Sequence, residues 1–229
     1  MAVKQGDKQS DWTQTSGKCL LCKKTFAGRS MGRHLEACLN REEAGPETGG
    51  KNLKLIDTFH LAVESPDSIY WLHLLMGTKE PIGELDGLLR AMWLNCCGHM
   101  SAFRIGKIEI MDFDEGDYGL DVPIGEVADV KTRIDYTYDF GSSTELVIQV
   151  VGRHQQPAKK EPLVVVARNE PPQIPCGLCG APAKKVCPSC SYDADAWLCS
   201  KCARRHECGP EMMLKIVNSP RTGVCAYEG

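Results

Sequence analysis

The sequence predicts an α+β fold, with a central domain of one helix on an antiparallel sheet between two small cysteine-rich modules. Apolar residues recur at helical spacing through GELDGLLRAMWLNCC (83–97), whereas the segments around it are short runs rich in β-branched and aromatic residues. Strands interrupted by one strong helix are typical of a helix packed on an antiparallel sheet. Most of the 13 cysteines lie outside this region, near the two ends of the chain.

The central domain is predicted between residues 53 and 172. The strands predicted with most β-branched content span 53–63, 101–110, 132–140, 144–152 and 161–169, and 69–75 is either a strand or a helix. Gly-Ser-Ser at 141–143 predicts a hairpin turn. The helix has a core-facing stripe at i, i+3, i+4, i+7, i+8 and i+11, formed by Leu85, Leu88, Leu89, Met92, Trp93 and Cys96.

Composition places the chain among soluble proteins of a reducing compartment. Its 229 residues are 42% hydrophobic, and no apolar run approaches the roughly 20 residues that a membrane span needs. The first residues, MAVKQGDKQSDWTQ, lack the apolar stretch of a secretory signal. We therefore expect a cytoplasmic protein without a membrane partner, whose cysteines are thiolates rather than disulfides.

The N-terminal module carries two paired ligands, Cys19-x2-Cys22 and His34-x3-Cys38, a spacing that suits one tetrahedral zinc ion. With Phe26 and Met31 between the pairs, residues 15–40 resemble the ββα zinc finger of the C2H2 class, with Cys38 in place of the second histidine. A helix is predicted over Met31–Cys38, with Ser30 as its N-cap. Residues 41–52 have the composition of a linker, so we expect this finger to move independently of the rest.

The C-terminal module, predicted over residues 173–229, has eight soft ligands within 33 residues. They are Cys176, Cys179, Cys187, Cys190, Cys199, Cys202, His206 and Cys208. Eight ligands complete two tetrahedral zinc sites, which gives three zinc ions for the whole chain. A zinc ion with four protein ligands has no open position for water or substrate, so these sites are predicted to be structural.

The order of these knuckles resembles the MYND and HIT classes of cross-braced zinc modules. The resemblance implies one zinc held by the first and third knuckles (Cys176, Cys179, Cys199 and Cys202). The second would be held by Cys187, Cys190, His206 and Cys208. Two alternatives remain open: the knuckles pair sequentially, or Cys225 replaces Cys208.

A second resemblance covers roughly residues 55–170. The helix LDGLLRAMWLNCCGHMSAF, the acidic loop after it and the hairpin YTYDFGSSTELVIQV are similar to the Ri-plasmid third-open-reading-frame-like domain family, whose members include resolvase-like proteins of mobile elements. The resemblance implies an α+β fold and no particular reaction. Where the family usually has Asp, Trp and His, this chain has Ser142, Thr144 and Leu146, so any site formed there is lost.

Cys96, Cys97 and His99 stand together at the end of the predicted helix. They suggest a further metal site or a nucleophilic thiol, but Cys96 continues the apolar stripe, which favours a buried and inert thiol. The sequence has no phosphate-binding glycine motif and no serine–histidine–acid signature. We therefore predict a protein that is not an enzyme and has no small-molecule substrate.

Charge divides the chain into three parts. Residues 1–45 carry 8 Lys/Arg against 5 Asp/Glu, residues 46–175 carry 12 against 20, and residues 176–229 carry 7 against 5. Lys23, Lys24, Arg29 and Arg33 surround the N-terminal finger and are candidates for contacts with DNA or RNA. The acidic centre favours the alternative of a protein-interaction adaptor, because it repels a polyanion.

Overall fold

Nine strands form one antiparallel sheet in the computed structural model of the chain, which describes residues 15–43, 54–112, 116–158, 161–190 and 194–229. The strands are β1 (Ser16–Cys19), β2 (Thr25–Ala27), β3 (Leu55–Glu64), β4 (Trp71–Gly77), β5 (Ser101–Ile105), β6 (Ile108–Met111), β7 (Arg133–Tyr138), β8 (Thr144–Pro157) and β9 (Leu163–Asn169). Their order in the sheet is β2-β1-β9-β4-β3-β8-β7-β5-β6. The predicted combination of a large antiparallel sheet with few helices is therefore observed, and the ambiguous segment 69–75 belongs to a strand.

The predicted helix is shorter than its apolar pattern. Helix α2 spans Ile82–Leu89 and continues as a π-helical turn over Arg90–Leu94. Asn95 then leaves helical geometry with ψ 90°, so Cys96 lies beyond the helix, although it packs against the same core as the rest of the stripe. Leu85, Leu89 and Trp93 are fully buried, as a core-facing stripe requires.

The sheet buries apolar side chains on both faces, because alternate residues of a strand point to opposite sides. On one face Phe59, Leu61 and Val63 of β3 pack in the core that includes α2. On the other face Trp71 and Leu75 of β4 pack against helix α1 (Gly28–Glu43). A short helix, α3 (Ile124–Val127), follows the loop after β6.

The N-terminal finger is part of the sheet. Strand β1 pairs with β9 in the register Gly17↔Asn169 and Cys19↔Ala167, and also pairs with β2. The expectation that the finger moves independently is therefore wrong, because the hydrogen bonds of β1 continue the central sheet. Helix α1 extends into the predicted linker as far as Glu43, and the rest of that linker lies outside the described residues.

Helix α1 lies close to the sheet through small residues. A Cβ atom on Gly28 would lie 2.5 Å from Nε1 of Trp71, and one on Gly32 would lie 3.6 Å from Cε1 of His73. Because α1 begins at Gly28, Ser30 is inside the helix and donates to the carbonyl of Ala27 at 2.9 Å. The prediction of Ser30 as N-cap is wrong, since the chain must already be helical where it passes Trp71.

The C-terminal module has its own three-stranded sheet in the order β11-β10-β12. These strands are β10 (Lys185–Val186), β11 (Trp197–Leu198) and β12 (Leu214–Lys215), and helix α4 spans Ser200–Ala203. After β12 the chain returns to the central sheet. Ser219 Oγ donates to the carbonyl of Trp93 at 2.6 Å, and Arg168 Nη2 of β9 donates to the carbonyl of Asn218 at 2.8 Å.

Candidate metal centres

The first candidate metal centre joins the β1–β2 turn to helix α1. Cys19 ends β1, Cys22 lies in the turn, and His34 and Cys38 are four residues apart on one face of α1. Their four ligand atoms lie within 4.8 Å of one another. The His34 ring stacks on Phe26 with centroids 3.7 Å apart, which fixes the orientation of the imidazole.

Electrostatics favour a cation at this centre. Burial, together with the neighbouring thiol groups of Cys19 and Cys22, raises the pKa of Cys38 to about 11. Several thiolates therefore resist ionising together unless a positive ion compensates their charge. Three sulfurs and one imidazole nitrogen are ligands that zinc prefers.

The C-terminal module holds two more candidate centres, formed in interleaved order. One contains Cys176, Cys179, Cys199 and Cys202, with Cys179 Sγ lying 3.7 Å from the sulfurs of both Cys199 and Cys202. Two backbone contacts bring the first and third knuckles together: the N–H of Gly177 donates to the carbonyl of Trp197 at 2.8 Å, and β10 pairs with β11, which ends next to Cys199.

The remaining centre of this module contains Cys187, Cys190, His206 and Cys208. Cys190 Sγ lies 3.5 Å from Nε2 of His206 and 3.7 Å from Sγ of Cys208. The sequential pairing of knuckles is not what the structure has, and Cys225 does not take the place of Cys208. Residues 191–193, between Cys190 and the next short helical turn, lie outside the described residues.

Distances distinguish metal centres from disulfides. Zinc–sulfur bonds of about 2.3 Å at tetrahedral angles separate two sulfurs by roughly 3.8 Å, whereas a disulfide holds them about 2.05 Å apart. The sulfur–sulfur distances in the two C-terminal centres are 3.7 Å, and all 13 cysteines are free thiols. These centres are compatible with metal ions such as zinc, and four protein ligands leave no open coordination position for catalysis.

The prediction of three zinc ions missed a fourth Cys/His group. Cys96, Cys97 and His99 meet Cys225, and their ligand atoms also lie within 4.8 Å of one another. Cys96 is half-buried rather than the inert core thiol that its position in the stripe favours. The Cys-Cys-x-His cluster was a visible signal, but nothing in the sequence indicates that Cys225, well over a hundred residues later, completes it.

The four candidate nucleic-acid-binding side chains are all exposed, in two places on the finger. Lys23 and Lys24 lie in the turn between β1 and β2, while Arg29 and Arg33 lie one turn apart on α1. Lys23 adopts a left-handed φ of 64° and donates to the carbonyl of Leu20 at 2.6 Å. The structure therefore groups the two arginines along one flank of the helix and separates them from the two lysines.

Ser142, Thr144 and Leu146, which stand where the resembling family usually has Asp, Trp and His, have structural contacts. The Ser142 carbonyl and the Thr144 hydroxyl accept hydrogen bonds of 3.0 and 2.9 Å from Nη1 of Arg221. Leu146 is buried in the core beside α2. Arg221 thus occupies the vicinity of these positions, and its role was not visible in the sequence.

A buried histidine pair lies beneath α1. His60 of β3 and His73 of β4 are 2% and 7% exposed, and Nε2 of His60 lies 2.9 Å from Nδ1 of His73. Burial, with the neighbouring His73 and His154, lowers the pKa of His60 to about 3, and burial lowers the pKa of His73 to about 4. Both rings are therefore neutral in the folded protein at pH 7.

We expect this pair to destabilise the fold in mild acid. In the unfolded chain both histidines bind protons below their ordinary pKa of about 6.5, whereas the folded pair stays neutral until the pH falls toward 4. The stability present above pH 6.5 is therefore lost as the pH falls toward 4. The loss approaches about 1.4 kcal/mol per pH unit for each histidine. Thermal unfolding between pH 7.5 and 5 should show a steeper dependence in the natural protein than in His60→Asn/His73→Asn.

Acid also protonates metal ligands, but it does so in the natural protein and in the double variant alike. The difference between their slopes of thermal stability against pH therefore reports the histidine pair. Equal slopes would contradict the prediction. The nearby half-buried histidine replaced in the same way, His154→Asn, is not a suitable control because His154 also contributes to the lowered pKa of His60. Zinc content measured at each pH is the better control.

Comparison with known proteins adds little to this description. No family model and no curated protein matches the chain. Among solved structures, it is similar to a protein of unknown function from Methanosarcina mazei Go1, with 14% sequence identity and a TM-score of 0.44, over 51% of this chain and 72% of that one. A similarity this weak supports no inference about function. No helix in the described ranges is long and apolar enough to cross a membrane.

Proposed function

We propose that the chain is a zinc-stabilised, non-enzymatic protein that binds nucleic acid along the flank of helix α1. The observation that carries the proposal is a groove of about 700 Å³ between α1 and β8, with Arg33 on one wall and Arg153 and His154 on the other. Arg29 lies one helical turn before Arg33, in a second depression of about 360 Å³ that shares Gly32 with the first.

Accessible positive charge along both walls suits a chain of phosphates. Arg29 and Arg33 are exposed, and Arg153, which lies over the Phe59 ring, has an exposed ion pair, 3.8 Å from Asp129. Such a pair contributes little, so the guanidinium stays available to a ligand. Glu36 and Glu64 also border the two depressions, and we expect them to limit the affinity.

The docking of α1 on the sheet affects how the helix can contact nucleic acid. An independent ββα finger places its helix in the DNA major groove. Here the residues beside Arg29 and Arg33, Gly28 and Gly32, face Trp71 and His73 of the sheet. We therefore expect the two arginines to contact phosphates from one side, with low sequence preference, rather than read base edges.

The metal centres support this surface without taking part in chemistry. Loss of the first centre would release the end of α1 that carries His34 and Cys38, and with it the position of Arg33. Zinc, when bound, supplies only the cross-link that fixes these elements. Membership of the Ri-plasmid third-open-reading-frame-like family, and with it an association with mobile elements, remains part of the proposal.

We expect labelled single-stranded and duplex nucleic acids to bind the full chain with an affinity that falls as salt rises. Arg29→Glu/Arg33→Glu should weaken binding about tenfold or more near 100 mM salt. It should also reduce the slope of log K against log salt by about 1.4 to 1.8, because each phosphate contact contributes about 0.7 to 0.9. Fluorescence anisotropy across a salt series measures both quantities.

The matched control is Arg104→Glu/Lys107→Glu, which makes the same charge change on the β5–β6 hairpin at the opposite end of the sheet. If both double variants weaken binding equally, the contact is diffuse and the groove is not the site. If the full chain binds no nucleic acid even at low salt, the proposal fails.

A protein-interaction adaptor is the second candidate. The observation that favours it is the acidic middle of the chain, 12 Lys/Arg against 20 Asp/Glu over residues 46–175, which opposes a polyanion. Absence of nucleic-acid binding, together with salt-dependent binding of a basic peptide that is retained in Arg29→Glu/Arg33→Glu, would favour this reading.

A further inference from the structure

The fourth Cys/His group lies between the central domain and the returning C-terminal segment. Cys96, Cys97 and His99 follow the π-helical turn and precede β5, whereas Cys225 lies in the turns after the C-terminal module. Among the described residues this is the candidate centre whose ligands come from both the middle of the chain and its last residues.

Its distances suit a single ion. Cys97 Sγ lies 3.8 Å from Sγ of Cys96 and 3.6 Å from Sγ of Cys225, near the roughly 3.8 Å that zinc imposes on two sulfurs. Nε2 of His99 lies 2.9 Å from Cys97 Sγ and 3.4 Å from Cys225 Sγ. The donor set of three sulfurs and one imidazole is the same as in the first centre.

The cysteine inventory supports the same conclusion. The three predicted centres contain ten of the 13 cysteines, and the fourth group contains the other three. No thiol is left over, as expected when every cysteine serves in a four-ligand group. Cys225 and Ala226 both adopt left-handed φ values, 50° and 54°, a conformation that persists only where the surroundings hold it.

Neighbouring groups are arranged to support a negatively charged centre. Three thiolates, one neutral imidazole and one zinc ion sum to about −1. Nε of Arg221 donates to Cys96 Sγ at 3.3 Å, which places a positive charge beside the thiolates. The Tyr138 hydroxyl accepts from the backbone N–H of His99 at 3.2 Å and so holds the histidine segment. Such outer contacts are typical of built metal sites.

We propose that Cys96, Cys97, His99 and Cys225 bind a fourth zinc ion, which fastens the C-terminal segment to the end of helix α2. The inference concerns the architecture alone and does not depend on nucleic-acid binding. Its consequence is that the C-terminal module is anchored at both of its ends, by the chain leaving β9 and by this ion.

The test is the zinc content of the full chain purified under reducing conditions, measured by native mass spectrometry and by elemental analysis. We expect four zinc ions in the natural protein and three in Cys97→Ser/Cys225→Ser, with Ala226→Ser as the matched control that keeps four. Hydrogen exchange should accelerate in residues 217–229 of the double variant and remain unchanged in β3 and β4.

Three zinc ions in the natural protein, or four in the double variant, would overturn the proposal. So would a native mass lower by two hydrogens with three zinc ions, because that result indicates a disulfide in place of the metal ion. If the double variant fails to fold, His99→Ala provides the second route, since it removes one ligand and leaves every thiol in place. Cobalt substitution then tests it, because one of the four cobalt centres keeps its three thiolates and loses its imidazole, so its ligand-field absorption is expected to change while the other three stay as they are.

Discussion

Replacing Cys19 by serine is expected to destabilise the central sheet as well as the finger. Cys19 is fully buried at the end of β1, opposite Ala167 of β9, and it packs with Trp71 and Leu75 of β4. Structural zinc contributes about 10–16 kcal/mol of apparent binding energy in a small module. With zinc bound at this centre, part of that energy would stabilise the β1–β9 pairing, so its loss would reach the sheet.

Thermal unfolding and hydrogen exchange measure this effect. We expect Cys19→Ser to lower the Tm by about 10 °C or more, since 1 kcal/mol corresponds to roughly 2–4 °C in a chain of this size. Amide protection should fall in β9 as well as in β1 and α1. Cys190→Ser is the matched comparison, because it removes a ligand from the C-terminal module and is expected to leave the transition of the central sheet in place.

If exchange accelerates only within residues 15–43 after Cys19→Ser, the finger folds as a separate unit and the energetic coupling inferred from the sheet is absent. If Cys190→Ser abolishes the transition of the central sheet, the C-terminal module and the central domain unfold as one body. The two variants together therefore map how far each metal centre stabilises the structure around it.

The second large loss of stability is expected when Arg221 is replaced. Its side chain is completely buried and its Nη2 lies 2.6 Å from Oδ2 of Asp139, while its other nitrogens donate to the Ser142 carbonyl, the Thr144 hydroxyl and Cys96 Sγ. One side chain thus connects the C-terminal segment to the β7–β8 hairpin and to the end of α2. Removing one partner of a buried ion pair leaves the other charge without compensation.

We expect Arg221→Met to reduce the free energy of unfolding by about 3 kcal/mol or more. Urea unfolding followed by tryptophan fluorescence measures the change. The control is Arg133→Met, which breaks an ion pair with Asp135 of 2.8 Å that is largely exposed and should cost less than about 1 kcal/mol. Equal effects of the two variants would show that Arg221 does not hold these elements together.

Local patterns in the sequence predicted the elements well. The β-branched runs became β3, β7, β8 and β9, and Gly-Ser-Ser at 141–143 lies between β7 and β8 as predicted. The run 101–110, predicted as one strand, forms the two paired strands β5 and β6. The knuckle spacings also paired the ligands within each knuckle, because a few intervening residues bring two side chains together locally. The grouping of the C-terminal knuckles into two centres was implied by the resemblance to the MYND and HIT classes.

What the sequence did not predict depends on contacts between distant residues. The pairing of Gly17 with Asn169 and the meeting of Cys97 with Cys225 leave no local pattern. Histidines 60 and 73 looked like ordinary strand residues, and only the alternation of two adjacent strands places them face to face. Serine is a residue type that often caps helix N-termini, which is why Ser30 was predicted as the cap. In the structure α1 already begins at Gly28, which lies close to Trp71.

The sheet order has a consequence for synthesis on the ribosome. Strand β9 lies between β1 and β4, so each of those strands lacks one of its two neighbours until the chain up to Asn169 has emerged. Until then the nascent chain exposes a long apolar edge along β4, whose residues are all buried in the finished fold. Exposed edges of this kind pair readily with other chains. We therefore expect the growing chain to be more prone to intermolecular pairing before β9 is made than a chain whose neighbouring strands are consecutive in sequence.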